Sequence, residues 1–125
     1  MSLKKQLIKN YIKMQLMSST PGELHIKIGN LPNINKDYYE FTPYVYEFIK
    51  ILDDIKDIKV NFSTGEVTIL YTPEVQPQKI IRWINTVLDV AIDHMDFISA
   101  KWDTDRESVL STLNNVLLNK RMQMY

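Results

Sequence analysis

Three aspartates, Asp89, Asp93 and Asp96, are the residues of this chain whose type and spacing come nearest to chemistry. On a helix they fall at i, i+4 and i+7 and project from one face. Like charges at that spacing repel by about 0.2–0.5 kcal/mol per pair. A hard cation held by oxygen ligands would offset that cost. His94 lies a quarter-turn round from Asp93 and joins only at the edge. Asp89, Asp93, Asp96 and His94 therefore form the candidate metal set, for Fe(II), Mn(II) or Zn(II). The competing reading is a solvated polar face opposite an apolar stripe, the commoner outcome for acidic helix surfaces.

The 125 residues include no cysteine, which removes disulfides, thiolate metal sites, iron–sulfur clusters and cysteine catalysis. Two histidines, His25 and His94, sit on different elements. No glycine-rich phosphate loop and no serine–histidine–acid set can be assembled. Asp53 and Asp54 are adjacent, so their side chains diverge and make a poor acid–base pair. A non-enzymatic role is the expectation.

The formal charge is zero but unevenly spread. Residues 1–17 carry Lys4, Lys5, Lys9 and Lys13 and no acid. Residues 37–57 carry six acids against Lys50 and Lys56, and residues 89–107 six against Lys101 and Arg106. A basic arm on an acidic body either packs its apolar face on its own domain, the commoner outcome, or docks on a partner or a membrane surface. The acidic segment also repels phosphate, so Tyr38, Tyr39, Tyr44 and Tyr46 are read as core and rim rather than a base-stacking platform. Nucleic acid is not an expected partner.

These residues need elements to position them. Leu3, Leu7, Ile8, Tyr11, Ile12 and Met14 have helical spacing, which predicts a basic amphipathic helix over 1–17. Ser18 to Gly22 reads as a linker or turn. "ELHIKI" alternates, so Leu24, Ile26 and Ile28 face inward while His25 and Lys27 face out. Tyr44, Phe48, Ile51, Leu52 and Ile55 form one stripe behind Thr42-Pro43, predicting a helix over 43–55. Strands follow at 58–62 and 66–71, joined by a turn with Gly65 at positive φ. Pro77 opens a helix whose stripe runs from Ile80 to Ile98. Asp103 or Thr104 caps a last helix bearing Val109, Leu113 and Leu117. No apolar run approaches the length of a membrane span, and no signal peptide is visible.

Two stretches carry a family likeness. "STPGELHIKI" and "IKDIKVNFSTGEVTILYTPE" resemble the opening strand and hairpin of heavy-metal-associated domain 2, with Asn61, Thr64, Gly65, Val67 and Tyr71 in place. The likeness spans about residues 18–90. It implies an α+β, ferredoxin-like βαββα(β) core. The fourth strand is in doubt, because the segment where it belongs, 89–98, keeps a helical period. Three parts follow: the helix of 1–17, the ferredoxin-like domain of 18–100, and a C-terminal helix of 101–125 packed on it. An absent fourth strand would make "ELHIKI" an edge, in need of a covering helix or a second copy.

The resemblance also implies a role in transition-metal homeostasis, often iron. The family's metal loop would fall at residues 29–33, which hold no thiolate, imidazole or carboxylate. Where the family's opening strand is often arginine-rich, this chain has Glu23, His25 and Lys27. The preferred expectation is a cytoplasmic accessory protein that docks on a metal transporter or storage shell. Lys4, Lys5, Lys9, Lys13, His25 and Lys27 would face that partner or a membrane surface. Direct metal binding by the Asp89 group, or a small-ligand regulatory domain, are the alternatives.

Overall fold

The computed structural model describes residues 14–29, 42–61 and 63–124. Its architecture is α+β: a four-stranded antiparallel sheet and four helices. In chain order these are β1 (Met14–Thr20), β2 (Glu23–Ile28), α1 (Thr42–Ile49), β3 (Ile55–Asn61), β4 (Glu66–Tyr71), α2 (Pro77–Asp93), α3 (Met95–Lys101) and α4 (Arg106–Met122). The strand order is β1-β2-β4-β3.

Alternation decides which face of the sheet is buried. Leu24 and Ile26 of β2, Ile55 and Ile58 of β3, and Val67, Ile69 and Tyr71 of β4 all enter the core. Their neighbours along each strand point to the opposite face, where Lys27, Lys59 and Glu66 are exposed. Helices α2 and α4 lie over the apolar face and bury Ile80, Trp83, Ile84, Val87, Val109, Leu113 and Leu117 in the same cluster. The C-terminal helix thus packs on the core as its stripe requires.

The strand at Met14–Thr20 corrects the reading of its segment. Of the helix expected over 1–17 the described part, 14–17, is strand instead, with Met14 to Leu16 paired to β2. Ser18 to Thr20 are strand as well, not linker. The cause is the free edge of β2: its backbone groups need partners, and a hairpin supplies them at once. Pro21-Gly22 makes the turn, with Gly22 at φ 82. A Cβ there would also meet Pro73 Cγ at 3.1 Å and the Tyr71 carbonyl at 3.2 Å, so the position needs glycine twice over. "ELHIKI" is therefore an interior strand, not an edge. β1 also straddles the boundary expected at 17/18. Lys4, Lys5, Lys9 and Lys13 lie outside the described residues.

Three further boundaries differ. The helix expected over 43–55 stops at Ile49. Ile51, Leu52 and Ile55 continue its spacing by coincidence, but their amides bond three residues back, to Phe48, Ile49 and Leu52, in a run of tight turns. Ile55 opens β3 and pairs with Tyr71. The long stripe from Ile80 to Ile98 is two helices, broken at His94, whose backbone sits at φ −103, ψ 11. The last helix is capped by Asp105, which accepts from the Ser108 amide, rather than by Asp103 or Thr104.

Trp83 fixes how α1 meets α2. Its side chain is fully buried, and the indole N–H donates to the Ile49 carbonyl at 2.8 Å. That carbonyl is among the last of α1, and its other donor is the Leu52 amide, longer at 3.4 Å. Trp83→Phe keeps an aromatic ring but leaves the carbonyl with that weaker bond alone. The expected cost of the lost hydrogen bond is about 0.5–1.5 kcal/mol of unfolding free energy, read as a lower urea midpoint.

Candidate functional site

The inward face of α2 tapers. It begins with Ile80, Trp83 and Ile84 and continues with Val87, Leu88, Val90 and Ala91, all of them smaller than a tryptophan and all but Leu88 smaller than isoleucine. Opposite these short residues, the sheet and the other helices do not close. A cavity of about 370 Å³ remains between the sheet and α1, α2, α3 and α4. Ile26, Val60 and Val67 line it from the sheet, Phe48 from α1, and Leu110 and Leu113 from α4.

No residue lining it among those described is charged. Tyr44, Tyr46, Ser99 and Trp102 alone there carry a side-chain oxygen or nitrogen. Such a volume exceeds the voids of an ordinary close-packed core and reaches the range of small-ligand pockets.

One wall is aromatic. Trp102, just past α3, is buried, and its ring meets Tyr44 edge to face, with centroids 5.3 Å apart at 80°. The Arg106 guanidinium lies 4.3 Å from the centroid of the same indole. Arg106 is also the first residue of α4, so one cation–π contact ties the start of α4 to the wall. Neither tryptophan belongs to the apolar stripes that the spacing picked out. Their signal was bulk and spacing: Trp83 directly precedes Ile84, and Trp102 falls four residues after Ile98, one helical step beyond the end of the stripe.

Burial raises the Tyr46 hydroxyl above its ordinary pKa of 10.0. The cause is desolvation, which penalises the phenolate.

The aspartates are placed differently from the metal expectation. Asp89 and Asp93 lie on α2, beside a polar cleft of about 390 Å³ shared with Arg82, Thr86, Lys120 and Gln123. Neither carboxylate stands without a partner. Asp96 falls beyond the break at His94, on α3. The His94 ring Nδ1 lies 2.8 Å from the Val90 carbonyl. A carbonyl only accepts, so Nδ1 donates, and Nε2 is left as the acceptor nitrogen of the neutral ring. Among the described residues, no group of three or more His, Cys, Asp or Glu is arranged to hold a metal ion.

His25 is on the open face of the sheet, as its alternation required. Its Nδ1 is 3.2 Å from Thr68 Oγ1 and its Nε2 is 3.5 Å from Glu23 Oε2. A proton on Nε2 satisfies both: it points to the carboxylate, and Nδ1 accepts from the threonine. Lys27 is exposed on the same face. His25 and His94 are not brought together.

No family model, no curated protein and no solved structure matches the chain. No helix among the described residues is long and apolar enough to cross a membrane.

The raised Tyr46 hydroxyl has a pH consequence. The folded state holds that proton more tightly than the unfolded chain, so its contribution is complete below pH 10.0 and is lost as pH rises through the raised value. In an alkaline absorbance titration a phenol ionising above pH 10.0 should be missing in Tyr46→Phe. The variant should also lose less stability than wild type above pH 10.0.

Proposed function

We propose that the protein is a non-enzymatic binding module that takes a neutral, largely hydrocarbon ligand between its sheet and its helices. The observation that carries this reading is the cavity of about 370 Å³ with no charged residue in its described lining. An ionised ligand would find no counter-charge there, and its desolvation would oppose entry. An apolar ligand gains from leaving water and meets carbon on nearly every side. The three hydroxyls and the indole are enough to orient one polar atom. Ser99 has no imidazole, carboxylate or amine beside it among the described lining residues, so none of these activates it as a nucleophile.

A second reading builds on the sheet order. β2-α1-β3-β4-α2 runs βαββα with β4 between β2 and β3, the arrangement of a ferredoxin-like core. That fold pairs its fourth strand with the outer side of the first, and here β1 occupies that position from the N-terminal end. That order is compatible with the likeness to heavy-metal-associated domain 2, which rests on the sequence alone. In that setting the chain would be a docking module of metal handling, its cavity receiving an apolar side chain of a transporter or storage shell. Fold alone fixes no function, so the cavity remains the stronger guide.

Titration with a neutral fluorescent naphthylamine tests the first reading. Wild type should bind it saturably, one molecule per chain. Ala91→Trp, which fills the cavity from α2, should weaken binding at least roughly tenfold while near-UV circular dichroism shows a packed core. No saturable binding by folded wild type would overturn the reading. Calorimetric titration with Fe(II), Mn(II) and Zn(II), beside an Asp89→Ala/Asp93→Ala variant, separates it from direct metal carriage. Tight binding lost in that variant would favour the carboxylates.

A further inference from the structure

The two outer strands of the sheet are not alike. β3 pairs on one side only among the described residues, with β4, and carries Lys56, Asp57 and Lys59. Charges along an outer strand discourage a second sheet from adding to it. β1 pairs on one side only among the described residues, with β2, and its sequence MQLMSST has no charge and no proline. It also concentrates exposed apolar surface. Leu16, Met17 and Met122 are the exposed large hydrophobic residues among those described, and the first two are neighbours on this strand, each 52% exposed.

The local geometry makes that pair usable. The register of β1 against β2 shifts between Leu16, opposite Ile26, and Ser18, opposite His25. Met17 is the extra residue of a bulge, which bends the strand and re-aims its side chains. Leu16 shares a face with Ile26 and so extends the apolar side of the sheet past the margin that the described helices cover. The backbone on the far side of β1 needs hydrogen-bond partners, and apart from the bulge the strand has neither charge nor proline to repel them.

We infer that β1 is a self-association edge: two copies of this chain pair their β1 strands antiparallel across a two-fold axis, joining two four-stranded sheets into one. A second copy fits better than a charged partner because the strand is uncharged throughout and its own sequence supplies matching apolar and hydroxyl side chains. Antiparallel self-pairing is also the arrangement that closes with two chains and leaves the charged β3 edges outermost. Centred on Met17, the middle of Met14–Thr20, it sets Met17 beside its own copy and Leu16 beside Ser18 of the other chain. One strand pair with two apolar residues per chain is a small interface, so the dimer dissociates on dilution through the micromolar range. This inference is independent of what occupies the cavity.

Sedimentation of the full chain over a concentration series tests it. Wild type should pass from the mass of one chain to that of two. Leu16→Lys and Met17→Lys, at exposed positions where folding is retained, should each stay monomeric, with unchanged circular dichroism. The absence of cysteine allows a second test. Met17→Cys should be captured as a dimer by a short bismaleimide, and Lys59→Cys on β3 should not. A wild type monomeric at every concentration, its edge being met within one chain or by another protein, would overturn the inference. So would a dimer untouched by both lysines, or capture at Lys59→Cys in place of Met17→Cys.

Discussion

The hydrogen bond from the Trp83 indole to the Ile49 carbonyl holds the helical layer in place. A fully buried indole must place its N–H on an acceptor, and a helix C-terminus must place its last carbonyls on donors. One contact meets both needs. It stops α1 where the chain must turn toward β3, and it sets α1 against the wide end of α2. The turn itself is tied down nearby. Asp54 accepts from Lys79 Nζ at 2.7 Å and, through its carbonyl, from the Thr72 amide at 2.9 Å. Arg121 Nη1 donates to the Ile51 carbonyl at 3.1 Å. Helices α2 and α4 are thereby anchored to the same short connection. Beyond that anchored end, smaller residues face the sheet, and the layers stand apart without collapsing. The cavity follows from where the bulk lies along α2.

The residues behind the family likeness have local duties that explain their presence. Asn61 Oδ1 accepts from the Ser63 amide at 2.9 Å, and Thr64 Oγ1 from the Glu66 amide at 3.3 Å. Gly65 turns at φ 78, and its carbonyl accepts from the Ile28 amide at 2.9 Å. Val67 and Tyr71 are core residues of β4. Together they build a hairpin and attach it to β2. Those duties are structural, which is why such a pattern speaks to fold before it speaks to function.

Legibility in the sequence followed the strength of each local pattern. β2 and β4 alternate cleanly, and their inward sets were readable residue by residue. Pro77 and the α4 stripe were equally plain. β1 was hidden because helical spacing runs up to Met14 and Ser-Ser-Thr looks like a linker; only the unpaired side of β2 demands a strand there. The end of α1 was hidden because Ile51 and Leu52 keep the stripe going through a turn. The break at His94 has no proline or glycine to announce it. Asp89 and Asp93 were correctly placed on a helix, but where Asp96 falls relative to them depends on that break. The cavity was beyond reach altogether, since its walls come from the sheet and all four helices, and no window of sequence contains it.

The central claim is that an apolar molecule enters between sheet and helices. Methyl-detected NMR of Ile, Leu and Val labels, titrated with the neutral naphthylamine, addresses it most directly. The account predicts shifts concentrated at Ile84, Val87, Val90 and Leu113, with Leu70 on the opposite face of the sheet unmoved. Shifts confined to Leu16 and Leu70, or none at saturating ligand, would contradict it.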